Sequence, residues 1–305
     1  MKEVVRDLLG VIGRVINFLF PFRLPQRIYR HMGFKGTFVF KIEKNKLRFT
    51  NAKEIVANDI FYSGIFGNYE GESLRLWYEL SKEVDGLVMD IGAYSGIYSL
   101  VAASANKQSR IIAFEPHPNN FDLLCKNIQI NGFSNITTEN LALSNKAGKV
   151  TFYNEGRGFR PGLSLINSRH IEVESSTISC AVISFKEYLE SNHKEKVLSL
   201  VKLDIERAEL IVLRDGIERI QKDKTIIFCE ILDRDSIFKI FSLFKKIDYV
   251  FININDKKKR LWFSGNLTED LPGDIGRNWV ILPKQIMERK NIKDVFLKFN
   301  SNYYV

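Results

Sequence analysis

The residues with most chemistry to offer stand at the ends of short apolar runs. Leu87-Val88-Met89-Asp90-Ile91 leads into Gly92-Ala93-Tyr94-Ser95-Gly96, the pattern D-x-G-x-x-x-G. A strand, a glycine turn and a helix start together present backbone N–H groups and a positive helix end to a ligand. A dinucleotide turn needs G-x-G-x-x-G, because the pyrophosphate approaches the backbone at the second glycine. Tyr94 takes that place here, so the turn suits a ligand without phosphates whose polar end meets Asp90. A second run, Arg110–Phe114, ends in Glu115, 19 residues beyond Gly96. An acid at that distance sits at the tip of the next strand and can accept both hydroxyls of a ribose. Turn, spacing and acid together predict a phosphate-free nucleoside, and S-adenosylmethionine is such a ligand.

The elements that must position these groups follow from the periodicity. Strand and helix alternate from 87 to 235: strand 87–91, helix 97–105, strand 110–115 and helix 118–131, then strands near 137–142, 149–153 and 179–184. Helix 185–191, strand 200–204, one helix at about 207–220 and strand 225–230 come next. A helix near 235–246 and strands 249–255 and 278–283 follow, with polar, lysine-rich sequence between those strands and a partly helical tail. This order predicts an α/β fold, a doubly wound, mostly parallel sheet with helices on both faces. Ligands bind such sheets at the carboxyl ends of the strands. The side chains there are Asp90, Glu115, Asn140, Asp204 and Glu230, four of them acidic in a basic protein. Residues 154–176 form a long loop in which Arg157, Arg160, Arg169 and His170 stand ready for an acceptor; a plain surface segment is the other reading. His117 reads as a solvated turn residue, and Trp77, Trp262 and Trp279 as core or sheet-edge packing.

Ahead of this core, residues 37–42 and 47–50 predict a hairpin, with its turn around Lys44-Asn45-Lys46, that caps the domain. A turn at 66–72 leads into a helix ending near Lys82, where Glu70 or Glu72 could reach the ligand's amino end. The organisation read from the chain is a basic amphipathic segment (1–34), a hairpin-and-helix cap (35–80), the core (81–285) and a tail (286–305). With 305 residues, 45% of them hydrophobic and 27% charged, the chain can bury a sizeable core. Cys125, Cys180 and Cys229 lie far apart without disulfide or zinc spacing, which points to a reducing, cytoplasmic setting. Most of the net charge of +9 lies in residues 1–50, where eleven Lys/Arg face three Asp/Glu. Such a front end suits an anionic partner or a solvated surface. The apolar stripe Val4, Val5, Leu8, Leu9, Ile12, Val15, Ile16 and Leu19 is broken by Arg14, too short to span a bilayer, and no cleavage site follows. It suits packing on its own domain or a second subunit, or lying on the inner face of a membrane.

The blocks Asp90-Ile-Gly-Ala-Tyr-Ser-Gly-Ile-Tyr-Ser, Phe114-Glu115-Pro116, Asn140-Leu-Ala-Leu-Ser and Val201-Lys-Leu-Asp-Ile-Glu206-Arg-Ala-Glu209 resemble, in order, those of the FkbM-type methyltransferases. Glu230 also matches, and the resemblance spans about residues 60–285. It implies a class I methyltransferase fold around a seven-stranded sheet, S-adenosylmethionine as cofactor, and O-methylation of a sugar or polyketide hydroxyl. By the same resemblance Asp90, Gly92, Ala93, Tyr94, Gly96, Glu115 and Pro116 bind the cofactor, with Asn140 and Ala142 near the adenine. Arg207 departs from the family's glycine, and Lys186 stands near a usual aspartate. Both departures suit an acidic acceptor, such as a sugar nucleotide or uronic acid.

Methyl transfer is an in-line displacement at a sulfonium carbon, so positioning supplies much of the acceleration. A hydroxyl nucleophile also wants a base or a metal. Asp204, Glu206 and Glu230 are the candidates, and Asp204 with Glu230 could hold Mg²⁺. In the plainer alternative Asp204 only contacts the cofactor, while Glu206 and Glu209 start a helix. Two other functions compete: a nucleic-acid (RNA) methyltransferase and a module that binds the cofactor without turnover. Against the first, no Asn-Pro-Pro-aromatic turn follows the fourth parallel strand, and the acids there repel a phosphate backbone.

Overall fold

The computed structural model describes residues 25–29, 32–154, 176–264, 271 and 273–299. The expectations for residues 1–24, for Arg30 and His31, and for Arg157, Arg160, Arg169 and His170 lie outside these residues. A hairpin of β1 (Lys35–Ile42) and β2 (Asn45–Ala52) comes first, its two-residue turn at Glu43-Lys44 one step earlier than the sequence suggested. The main strands then follow as β3 (Leu87–Ile91), β4 (Arg110–Phe114) and β5 (Ile136–Glu139). A small side sheet holds β6 (Ala142–Ser144), β7 (Gly148–Asn154) and β8 (Ser176–Ser184). Completing the main sheet are β9 (Leu198–Leu203), β10 (Ile226–Glu230), β11 (Tyr249–Asn255), β12 (Arg260–Ser264) and β13 (Asn278–Pro283).

The main sheet runs β5-β4-β3-β9-β10-β13-β11-β12. Its first five strands are parallel; β13 enters antiparallel between β10 and β11, and β12 closes the edge. The strand order reverses between β3 and β9, and in open α/β sheets that reversal opens a crevice for a ligand. All five residues of β3 are buried, as expected of a strand covered on both faces. Val88, Leu200, Ile226 and Phe228 face one side, while Leu87, Met89, Val201, Leu203 and Ile227 face the other. Asp90 pairs with Lys202, and Lys202 with Phe228, so these three share the first face.

The helices are α1 (Gln26–Tyr29), α2 (Ile55–Ser63), α3 (Gly71–Lys82), α4 (Ile97–Ala105), α5 (Pro118–Gln129) and α6 (Phe185–Asn192). They continue with α7 (Glu209–Asp215), α8 (Ile217–Asp223), α9 (Arg234–Phe244), α10 (Lys284–Met287) and α11 (Lys290–Leu297). The first face of the sheet is covered by α3, α4 and α11, and the other by α6 to α9. Under the first face one core runs from Phe34 to Phe299, so the hairpin, α3 and α11 share it with the sheet. Trp77 anchors it, edge-on to Phe228 at 5.2 Å, with its indole N–H donated to the Tyr98 carbonyl at 2.9 Å. The hairpin is fastened by side chains of α5 and of the turn after it, since Asn127 and Asn131 accept from the backbone N–H groups of Thr50 and Arg48.

Three local expectations need correction. The sheet has eight strands, because Arg260–Ser264 pairs with β11 where a polar connection was expected. Three lysines just before it mask a run whose Trp262 packs edge-on to Trp279 at 6.3 Å. The strand expected at 137–142 is two strands in different sheets. Asn140 turns the chain there by donating its amide to the carbonyls of Glu115 (2.8 Å) and Pro116 (3.1 Å). The helix expected at 207–220 is divided at Gly216, where the Phe185 ring leaves no room for a side chain.

Candidate active site

The carboxyl ends of β3, β4 and β9 open into a cleft of about 930 Å³. Its floor is the glycine turn. Gly92 and Ala93 donate their N–H groups to the Phe114 carbonyl at 3.0 and 2.8 Å, tying the end of β3 to that of β4. Gly92 has φ +86°, and a Cβ there would overlap the Asp204 carbonyl of β9's end. The turn therefore lies directly against the next strand, a closeness that only glycine permits. Tyr94 keeps φ +49° without that freedom. It is held by its backbone N–H, donated to Glu115 Oε2 at 2.8 Å, and by its phenol beside the buried Glu54.

Asp90 is 1% exposed and accepts from Ser99 Oγ at 2.6 Å. Burial raises its pKa, against the lowering effect of the Lys202 charge. Glu115 is also buried, and its Oε1 accepts from the His117 backbone at 2.9 Å. Burial prevails over those bonds and pushes Glu115 up to about 7. Asp90 and Glu115 thus stand on either side of one turn, facing one cavity. A polyhydroxylated nucleoside suits that spacing, through hydroxyl donors to Glu115.

Across the cleft the end of β9 brings Lys202, Asp204 and Glu206 to the wall. Lys202 Nζ lies 2.9 Å from Asp204 Oδ2 and 4.5 Å over the Tyr98 ring. Although burial opposes a charged ammonium, the carboxylates of Asp204, Glu70 and Asp90 raise the Lys202 pKa above its ordinary value. Burial would likewise raise Asp204, but Lys202 and a hydrogen bond with Glu230 hold it below the usual carboxyl range. Glu230 moves the other way: burial, then the Asp204 charge, push it up to about 9. At neutral pH the two carboxyls therefore hold one proton between them, and Lys202 balances the remaining charge. Tyr69 and Tyr98 complete this wall, with the Tyr98 phenol donating to Glu70 at 2.7 Å. The wall is pinned from afar, because Asp256 beyond β11 caps α3 by accepting from the N–H groups of Glu72 and Ser73, both at 2.9 Å.

Of the cofactor residues expected, Asp90, Gly92, Ala93, Tyr94, Glu115, Pro116 and Ala142 line the cleft. Gly96 and Asn140 stand behind it. Gly96 starts α4 at φ +88°, against Leu124, and Asn140 holds the Glu115-Pro116 backbone. Asp204 and Glu206 face the cleft, with Glu230 behind Asp204. The magnesium expectation is not supported. Lys202 and a shared proton already occupy the carboxyl pair, and among the described residues no three His, Cys, Asp or Glu are grouped to hold a metal. His117 is buried, not solvated, and its Nδ1 has no partner among the described residues.

Arg207 and Lys186 also lie elsewhere than expected. Arg207 holds φ +81° but turns outward to Asp233 at 3.2 Å, and Lys186 pairs with Glu218 at 2.9 Å on the surface. An acidic acceptor is thus left without the residues on which that expectation was built. Neither Glu70 nor Glu72 lines the cleft. Glu209 reaches back from α7 to accept from Ile205 N (3.0 Å) and Arg207 N (3.2 Å), fixing the loop that carries Glu206. Sequence reasoning missed Lys202, Tyr69 and Tyr98 as wall residues. Only Lys202 carried a signal, as a lone cation inside an apolar strand two residues before Asp204.

A doubly wound sheet with one inserted antiparallel strand, and a cleft at its switch point, defines the class I methyltransferase architecture. The Methyltransferase FkbM domain matches residues 90–257, and the chain belongs to that family. It is 26% identical over 158 residues to the hexuronic acid methyltransferase AglP of Haloferax volcanii, covering 52% of this chain and 61% of that protein. It is 24% identical over 146 residues to methyltransferase 1 of Beauveria bassiana, covering 43% and 58%. The chain thus spans about three-fifths of the length of these curated relatives. A methyltransferase FkbM structure from Methylobacillus flagellatus KT aligns at TM-score 0.42 and 13% identity, over 75% of this chain and 55% of that one. Among the described residues no helix is long and apolar enough to cross a membrane.

Proposed function

We propose that this methyltransferase uses S-adenosylmethionine to methylate a hydroxyl of a sugar or glycan. The observation that carries the reading is the shared cleft. Asp90, the Gly92 turn and Glu115 line one side, and Asp204 faces them from the next strand end. Glu115 takes the ribose hydroxyls, the turn takes the nucleoside's backbone-facing atoms, and the sulfonium methyl points toward Asp204. As the acceptor oxygen attacks the methyl carbon, its proton passes to the Asp204 carboxylate. Glu230, already protonated, keeps that carboxylate a single charge with no second anion beside it. The name of the Haloferax volcanii relative, a hexuronic acid methyltransferase, supports a sugar as the acceptor class. Four carboxyls and one lysine among the charged lining residues disfavour a nucleic-acid phosphate backbone.

The test has two arms. Calorimetry should show S-adenosylmethionine binding to wild type and a clear loss of heat with Glu115→Ala; equal binding by both would refute the ribose assignment. Incubation with methyl-labelled cofactor and a cell-surface glycan extract should place label in carbohydrate. Label in RNA and none in carbohydrate would sink the acceptor reading.

A further inference from the structure

Lys202 is the only cationic side chain among the described residues that line the cleft, and the roles above leave it merely a counter-charge. It is 3% exposed, so water satisfies little of it. An ammonium carries three donors, and burying them unfilled is costly. The Lys202 ammonium makes one hydrogen bond among the described residues, to Asp204 Oδ2, and lies over the Tyr98 ring. A buried charge with donors to spare, on the wall of a cleft, calls for a ligand oxygen.

We propose that Lys202 is a catalytic residue that donates a hydrogen bond to the acceptor oxygen, the same oxygen whose proton Asp204 receives. This rests on the reading of the chain as a hydroxyl methyltransferase. A hydroxyl oxygen has one proton and two lone pairs. With the proton toward Asp204 and one lone pair toward Lys202, the second lone pair is left to face the methyl group. Two side chains 2.9 Å apart thereby fix all three free directions of the nucleophile. In the step itself the oxygen lone pair forms the O–C bond. The C–S bond breaks with its electrons going to sulfur, and the O–H proton goes to Asp204 and later to solvent. The products are the methyl ether, S-adenosylhomocysteine and one proton, and Lys202 stays an ammonium throughout. Because the positive charge leaves sulfur as the methyl moves, an ammonium nearby opposes the ground state more than the transition state, which favours reaction.

The competing role for Lys202 is an anchor for the donor's own carboxylate. That carboxylate would then sit beside Asp204, an anion against an anion, and the cleft places no second cation there among the described residues. Two nucleosides separate the roles without any acceptor. S-adenosylhomocysteine lacks the methyl group, and sinefungin has a carbon in place of the sulfur and an amine in place of the methyl. Their affinities would be measured calorimetrically for wild type, Lys202→Met and Asp204→Asn. Lys202→Gln stands in if the methionine variant does not fold.

We expect S-adenosylhomocysteine affinity within about twofold of wild type in every variant. Sinefungin should bind at least about fivefold tighter to the Lys202 variant, where its ammonium no longer meets a like charge, and at least about fivefold weaker to Asp204→Asn. A tenfold loss of S-adenosylhomocysteine in the Lys202 variant would make Lys202 a donor anchor and overturn the proposal. Unchanged sinefungin affinity in both variants would overturn it too, because neither residue would then face the methyl position. Wild type that binds neither nucleoside would bring down the cofactor reading along with this one.

Discussion

Replacing Gly92 by alanine should do far more damage than the same change at Gly132, although both glycines have positive φ. Gly132 sits at φ +68° with nothing within 4 Å of a new Cβ, so its alanine meets only the left-handed backbone cost, about 1–2 kcal/mol. Gly92 at φ +86° carries that cost and a steric one. Its Cβ falls inside 3.0 Å of the Asp204 carbonyl and 3.2 Å from Ile205 Cγ2, so the turn and the end of β9 must part. Overpacking of that kind costs a further ~1–3 kcal/mol. The total of about 2–5 kcal/mol is a large share of the ~5–15 kcal/mol that holds a domain folded. At about 2–4 °C per kcal/mol, Gly92→Ala should melt roughly 4–20 °C below wild type, and Gly132→Ala only a few degrees below. Scanning calorimetry of the three proteins measures this directly, with nucleoside affinity recorded alongside. If the two variants melt within about 1 °C of each other, the contact between turn and strand end is not what requires glycine at 92.

Two further outcomes follow from buried acids. Glu115 is held at about 7 by burial, and ribose hydroxyls favour its carboxylate form, so binding lowers its pKa. S-adenosylmethionine affinity should therefore weaken as pH falls below about 7, by at most tenfold per unit. Calorimetry across pH 5–8 tests it, and Glu115→Gln should flatten the profile. Glu54 is pushed up to about 8 by burial, so the native state holds a proton that the unfolded chain releases near 4.5. Its contribution to stability is fully present below that lower value and is lost as pH rises toward about 8, at no more than ~1.4 kcal/mol per unit. Glu54→Gln should match wild type in denaturant unfolding near pH 4.5 and exceed it near pH 8; a constant difference at both would refute the assignment.

The half of the cleft built from β3 and β4 was legible in the sequence because each part is local. An apolar run, a glycine pair and an acid lie within a few residues of one another, and Asp90 and Glu115 line the space expected of them. The other half depends on register between distant strands. Lys202 reads as an oddity in an apolar run until the pairing sets it opposite Asp90 and Phe228. Tyr69 and Tyr98 reach the wall only because α3 and α4 pack on the same face of the sheet. Arg207 and Lys186 show the converse. Their places in the chain are next to the site, but an outward φ +81° turn and surface partners take their charges away from it. Strand β12 was hidden because its lysine-rich approach dominates the local pattern, although its partner β11 is the strand just before it.

The cap on α3 bears on how the protein is made. Glu72 and Ser73 are separated from Asp256 by 184 and 183 residues, so a helix start made early in synthesis is tied down by a turn made late. A nascent chain that has emerged through β10 already carries the glycine turn, Glu115 and the Lys202–Asp204–Glu230 group. It still lacks the clasp that holds Tyr69 and Glu70 against them. The β3–β4 side of the cleft is thus encoded entirely ahead of the residue that clasps its opposite wall.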